Sequence, residues 1–250
     1  MMRTTLAIGF AVVAAAATAS AQPAAAPAAP SSSPLGQKGT WILAIERAMP
    51  LFAYTREETD GNNASQETSE TSLSFLSYGV PSDIAYTIPR VALDYTVAPN
   101  ITVGGSIFAF FDVSDSTTTT LGNMSNTADN PKATAFGISG RVGYVMSLGP
   151  KLALWPRGGL SFYDESISNP GGGGAGTTMS SGFHQFALDL EGNFAFTLAP
   201  HVFVLLGPVI DIPLTGSVST TTSTATGSTT TSTDNSQFHF GIAGGLGGYL

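Results

Sequence analysis

Cysteine is absent from all 250 residues. The chain therefore has no disulfide framework, no thiolate metal site and no modified cysteine to carry a lipoprotein anchor. Charge is scarce as well: Asp, Glu, Lys and Arg make up 10% of the sequence, against roughly a quarter in ordinary soluble domains. So little charge suits a protein solvated partly by lipid. Disorder is excluded by the 42% of hydrophobic and 10% of aromatic residues, too many for a chain that buries nothing. What charge there is leans acidic, 17 against 9, which speaks against nucleic acid as a partner. Nor is there an uninterrupted apolar helix in the body of the chain. The most hydrophobic stretch, Phe194 to Leu214, is broken by Pro200, Pro208 and Pro213. Each of these removes a backbone donor and clashes with a preceding helical turn, and the pieces between them are rich in the Phe, Val and Ile that favour strands.

The chain opens with Arg3, an apolar run from Leu6 to Ala17 and the small-residue motif Ala19-Ser20-Ala21. This is the pattern of a secretory signal peptide over 1–21. Its removal leaves 8 bases against 17 acids, a formal charge of −9. Residues 22–38 form a Pro/Ala/Ser-rich linker with no core of its own. The folded domain is expected over 39–250.

Two kinds of connection alternate along that domain. Three are short and contain proline: "TVAPNITV", "SLGPKLAL" and "TLAPHVFV", about 50 residues apart. Proline beside a small or polar residue makes a tight reversal. Four are long and polar, the last running through the Thr/Ser tract Ser217–Thr233, whose composition reads as a disordered brush. Eight strands fit between them, over about 40–54, 86–98, 101–113, 134–147, 151–165, 183–198, 201–214 and 237–250. Each is long enough to cross a membrane at a tilt. A candidate ninth segment, Leu73 to Val80, is placed inside the first long loop.

Within the strands apolar residues recur with period two. Val91, Leu93, Tyr95 and Val97 oppose Arg90, Ala92, Asp94 and Thr96, and Phe186, Leu188, Leu190, Phe194 and Phe196 oppose Gln185, Asp189, Glu191 and Asn193. The face opposite the apolar one holds Gly, Ala, Ser and a few charges, which suits the narrow interior of an eight-stranded barrel. That interior is expected to contain a paired network of Glu46, Arg90, Asp94, Arg141, Arg157, Asp189 and Glu191, since an unpaired charge in a low dielectric is costly. Aromatic residues near strand ends, Trp41, Phe52, Tyr54, Tyr144, Phe162, Tyr163 and Tyr249, are compatible with interfacial girdles.

This arrangement of signal peptide, three tight turns, four long loops and a final strand "QFHFGIAGGLGGYL" resembles the small eight-stranded outer-membrane β-barrels of Gram-negative bacteria, of the OmpA-domain and OmpX kind. The resemblance implies an all-β fold, an up-and-down antiparallel transmembrane barrel with periplasmic turns and external loops. It also implies an outer-membrane location, contact with outer-membrane lipid and lipopolysaccharide, insertion by the barrel-assembly machinery through the C-terminal strand, and a monomer. One departure stands out: the chain ends in Leu250, preceded by Tyr249, where that family usually ends in Phe or Trp.

Signatures of enzymatic chemistry are thin. "NPGGGGAGTT" lacks the Lys of a phosphate loop, and no helix pattern follows it. His184, His201 and His239 have no metal-site spacing, although His184 and His239 could be neighbours near the external end. No G-x-S-x-G elbow occurs. The expectation is a non-enzymatic protein without cofactor or metal, acting structurally or through its external loops. A narrow channel or carrier for small apolar molecules is the alternative, and an outer-membrane lipid hydrolase a second one.

Overall fold

The computed structural model describes residues 34–60, 65–73, 86, 88–111, 116–121, 124–129, 131–170 and 177–250. The strands are β1 (Trp41–Asp60), β2 (Ser65–Leu73), β3 (Arg90–Ala98), β4 (Ile101–Phe111), β5 (Ser116–Leu121), β6 (Met124–Asp129), β7 (Lys132–Tyr144), β8 (Met146–Gly149), β9 (Leu152–Pro170), β10 (Thr178–Ala199), β11 (Val202–Thr224) and β12 (Gly227–Tyr249). Eight of them close a ring of antiparallel ladders in the order β1, β3, β4, β7, β9, β10, β11, β12 and back to β1. Strand β8 carries β7 onward past a break at Val145, pairing with β9. The ring is closed down to the last residue, where the Leu250 amide donates to the Trp41 carbonyl at 2.9 Å.

The three proline turns share one construction. "TVAPN", "SLGPK" and "TLAPH" each place a register shift just before a two-residue reversal, closed by the pairs Ala98↔Ile101, Gly149↔Leu152 and Ala199↔Val202. Asn100 and His201 follow their prolines with φ of 66°, the left-handed second position that defines a type II turn. Short turns mark the periplasmic end of such a barrel.

Alternation sorts the side chains. Along β3 the exposure pattern runs buried, exposed, buried, exposed from Arg90 to Leu93. Large apolar residues stand exposed around the ring, among them Leu43, Leu93, Ile107, Ile138, Leu160, Phe194, Leu206 and Leu246. An apolar surface of that extent has no place in water and forms the lipid-facing belt. Trp41, Tyr144 and Phe162 stand on this outer face. Tyr163 and Tyr249, also read from the sequence as girdle residues, are instead buried in the lumen.

Inside, the periplasmic third is an apolar plug of Ile42, Trp155, Phe203, Leu205, Tyr249 and several alanines. Large side chains face small ones across the wall: a Cβ at Gly143 would stand 2.6 Å from the Trp155 indole nitrogen. Leu35 completes the plug. The 3-10 turn Pro34–Gly36 tucks it under the mouth at 1% exposure, and the Thr96 hydroxyl donates to the Leu35 carbonyl at 2.9 Å. The end of the linker thus packs against the barrel.

The external end departs furthest from the sequence reading. The tract Ser217–Thr233 is not a brush. It continues β11 and β12 as a ribbon, paired from Ser217↔Asp234 to Thr224↔Gly227, and on its other side β11 stays paired with β10 from Gly182↔Ser219 to Thr178↔Ser223. Threonine is β-branched and favours strands, and facing threonines bond across the ladder, as Thr221 and Thr230 do at 2.9 Å. In the first long loop β1 runs on to Asp60 and pairs with β2. Of the candidate ninth segment, Leu73 ends β2 and 74–80 lie outside the described residues. The second long loop contains the β5–β6 hairpin.

Candidate functional site

Above the apolar plug the lumen is filled by charge. All seven residues assigned to the interior by alternation are buried there. Arg141 is forked between two carboxylates, reaching Glu46 at 2.6 and 2.8 Å and Asp94 at 2.6 and 3.1 Å. Arg157 bonds Glu46 at 2.5 Å and also Glu191, and its guanidinium lies 4.4 Å from the Trp155 ring. Arg90 reaches Asp189 at 3.3 Å and the Tyr163 hydroxyl at 3.0 Å. Bidentate guanidinium–carboxylate pairs are the strongest of the charge-assisted bonds.

Two members of this network escaped the sequence reading. Arg47 follows an inward residue, so strict alternation turns it toward lipid. A register shift between Ile45 and Met49 and a φ of 53° at Arg47 bring it inside instead, as β-bulges re-aim side chains. There it bonds Asp211 at 2.9 and 3.2 Å and Asp189 at 3.3 Å. Nothing in the local sequence announces that bulge except Pro50 shortly after it, since proline in a strand tends to sit at irregular positions. Asp211 was legible. It is the one charge in the stretch from Leu198 to Leu214, and a charge in such a strand belongs on its inner face. With both added, five carboxylates face four guanidiniums.

The space left beside Glu46, Arg47, Arg157 and Glu191 is about 10 Å³, room for one water at most. A second seal lies above it. Tyr86 returns into the lumen, stacks on His239 at 4.8 Å and donates to the Gln237 carbonyl at 3.2 Å. Gln185 bridges from the opposite wall, donating to the Tyr86 hydroxyl at 2.5 Å and to the Gln237 carbonyl at 2.9 Å. Beyond this layer the lumen opens into an external cleft of about 150 Å³ walled by Glu57, Glu165, Ile167, Phe183 and Val218.

The histidines do not gather. His239 faces the lumen, His184 is exposed on the outer face and bonds Ser217 at 2.9 Å, and His201 contacts the Tyr249 carbonyl at the periplasmic end. The expected closeness of His184 and His239 fails because β11 separates their strands and their side chains leave opposite faces of the wall. Among the described residues no cluster of His, Cys, Asp and Glu could hold a metal ion.

No protein-family model and no curated protein matches the sequence. Solved structures do. Ail, the attachment invasion locus protein of Yersinia pestis, is 12% identical over 86% of this chain and 100% of its own, with a TM-score of 0.35. A major outer membrane protein from Thermus thermophilus is 10% identical over 84% and 99%, with a TM-score of 0.49. The outer membrane protease OmpT from Escherichia coli is 10% identical over 85% and 97%, with a TM-score of 0.40. At these identities the likeness is one of architecture alone. The architecture stands on the chain's own closed ring and exposed apolar belt: this is an eight-stranded antiparallel transmembrane β-barrel of the outer-membrane kind.

Proposed function

We propose that this barrel serves a structural or surface-interaction role in the outer membrane of a Gram-negative bacterium, reached after signal-peptide cleavage near Ala21. The observation that carries this reading is the layered seal of the lumen beneath a polar external wall. A conducting pore needs a continuous aqueous path, and here the plug, the ion-pair layer and the Tyr86 layer fill it in succession. The outer end, by contrast, invites contact. Twelve of the 17 acids belong to the external segments of the sequence, from Glu57 to Asp234, against two bases, Arg56 and Lys132, a local charge of −10. Such a field draws cationic partners and repels anionic ones.

Two measurements test this. Closed barrels resist SDS until heated, so unboiled protein should migrate faster than boiled protein. In planar bilayers the same protein should give no unitary current steps. Stable steps would favour the channel or carrier reading, and a heat-independent band in the soluble fraction would remove the membrane reading altogether.

A further inference from the structure

Three polar residues stand in one row across the outer face of the wall: Ser217 on β11, His184 on β10 and Asp164 on β9. The ladders pair His184 with Ser217 on one side and with Asp164 on the other. Residues directly opposite one another in antiparallel strands project to the same face, with Cβ atoms roughly 5 Å apart. That face is the outer one, because the flanking Phe183, Gln185, Tyr163 and Glu165 are all buried toward the lumen. The Ser217 hydroxyl lies 2.9 Å from Nε2 of His184. Serine bonded through Nε2 leaves Nδ1 for a carboxylate, the polarity of a nucleophile, base and orienting acid. Asp164 is exposed and out of hydrogen-bond contact with the ring here. At the neighbouring ladder position its carboxylate is within the reach of side-chain pairs across the strands.

Serine is common in this chain, so a Ser–His contact alone means little. Two further observations set this one apart. The first is its height in the wall. On the same face, one step toward the periplasm, stand Phe162 and Phe186, both exposed members of the apolar belt, while one step outward stand Ser166, Gly182 and Ser219. The row therefore sits where acyl chains meet headgroups. The second is the backbone beside the serine. β11 shifts register against β10 at Phe186/Ala187 and against β12 between Asp211 and Ser217. Residues 212–216 thus have no paired residue in β12, so the irregular backbone next to Ser217 is where N–H groups, absent only at Pro213, could turn to an oxyanion.

We propose that Ser217, His184 and Asp164 form a serine-hydrolase site that cleaves the carboxylic acyl esters of outer-leaflet lipids. This goes beyond the surface role, which concerns the acidic wall and its ribbons. The Ser217 Oγ attacks the ester carbonyl carbon as His184 Nε2 takes the hydroxyl proton. The tetrahedral intermediate collapses, the C–O bond to the alcohol breaks, and His184 returns the proton to the departing alkoxide. Water then attacks the acyl-serine with His184 again as base, releasing fatty acid and restoring the hydroxyl. Ser217 and His184 are the catalytic residues. Asp164 is a positioning residue that holds the imidazole and stabilises the imidazolium formed during the reaction.

The test uses the full mature chain in detergent or liposomes, each variant first shown to give the heat-dependent shift. All three positions are on the surface, so the variants keep the fold. A fluorophosphonate probe should label Ser217, located by mass spectrometry, and the label should vanish in Ser217→Ala and His184→Ala. Fatty-acid release should fall by roughly 10³-fold or more in those two variants. Phosphatidylethanolamine vesicles and purified lipopolysaccharide, assayed separately, identify which lipid supplies the ester. Asp164→Asn should lower the rate less, and lower kcat while leaving KM unchanged, which a structural role would not do. Folded wild-type protein that neither takes the label nor releases fatty acid overturns the assignment. So does release that Ser217→Ala leaves intact, whereas neither result disturbs the heat shift or the silent bilayer on which the surface reading depends.

Discussion

The two ends of the barrel are built on opposite rules. At the periplasmic end every connection is a two-residue proline turn, the lumen is plugged by Leu35, Trp155, Phe203 and Tyr249, and the charged side chains among the described residues are Lys38 and Lys151. At the external end the wall strands climb on as ribbons, polar on both faces, in segments whose sequence holds twelve acids. Between them the charged layer ties six of the eight wall strands together, since its members come from β1, β3, β7, β9, β10 and β11. The difference teaches where stability resides. The closed end and the middle bury their side chains and are held by contacts that exclude water. The external ribbons bury little and are held mainly by their backbone ladders.

The sharpest way to test that division is to break one ion pair in each region. Arg157→Ala leaves Glu46 and Glu191 without a partner they now share, in a buried layer whose free space beside them is about 10 Å³. The expected loss is about 3–5 kcal/mol, seen as a lower urea midpoint for the change from the compact to the extended gel species. Arg56 pairs with Glu67 at a similar 2.9 Å, but both side chains are about half exposed. Arg56→Ala should therefore cost about 0–1 kcal/mol. Equal losses would contradict the division.

A smaller effect than that of Arg157→Ala is expected at the plug. Leu35 is 1% exposed, and Leu35→Ala should cost about 2–5 kcal/mol, toward the lower end because the mouth of the barrel lets water replace what is lost. Protease cleavage around Pro34 should become faster in the same variant. If stability is unchanged, the N-terminal segment is an ornament on a barrel that closes without it.

How much of this was legible in the sequence follows the same division. Where a strand obeys its pleat, period two told inside from outside, and Arg90, Ala92, Asp94 and Thr96 stand on the lumen face assigned to them. The proline turns were legible because their chemistry is local. What was not legible depends on breaks in the period. Arg47 enters the lumen only because three residues of β1 lie opposite one of β12, a choice made by packing across the barrel. The row of Ser217, His184 and Asp164 draws on three strands and a register shift, so no spacing along the chain contains it. The Thr tract failed for another reason. Its low complexity suggested disorder, while the β-branching of its threonines and a neighbouring strand to extend favoured a ladder.

That tract gives the prediction with the smallest effect on stability and the most direct bearing on the two ends. Replacing Ser219–Ser232 by Asn-Gly would close the pair Val218↔Thr233 with a two-residue turn suited to hairpins. Because the ribbon packs against no core cluster and is tied to the wall only by its ladder with Thr178–Gly182 of β10, whose freed backbone groups water can take over, its removal should shift stability by no more than about 0.5 kcal/mol. The heat-dependent gel shift should survive. If the ribbon serves display alone, adhesion or partner capture by whole cells should fall while barrel stability holds. A stability loss comparable with that of Leu35→Ala would mean that the external ladders feed back on the closed ring, and that display and closure are one cooperative unit.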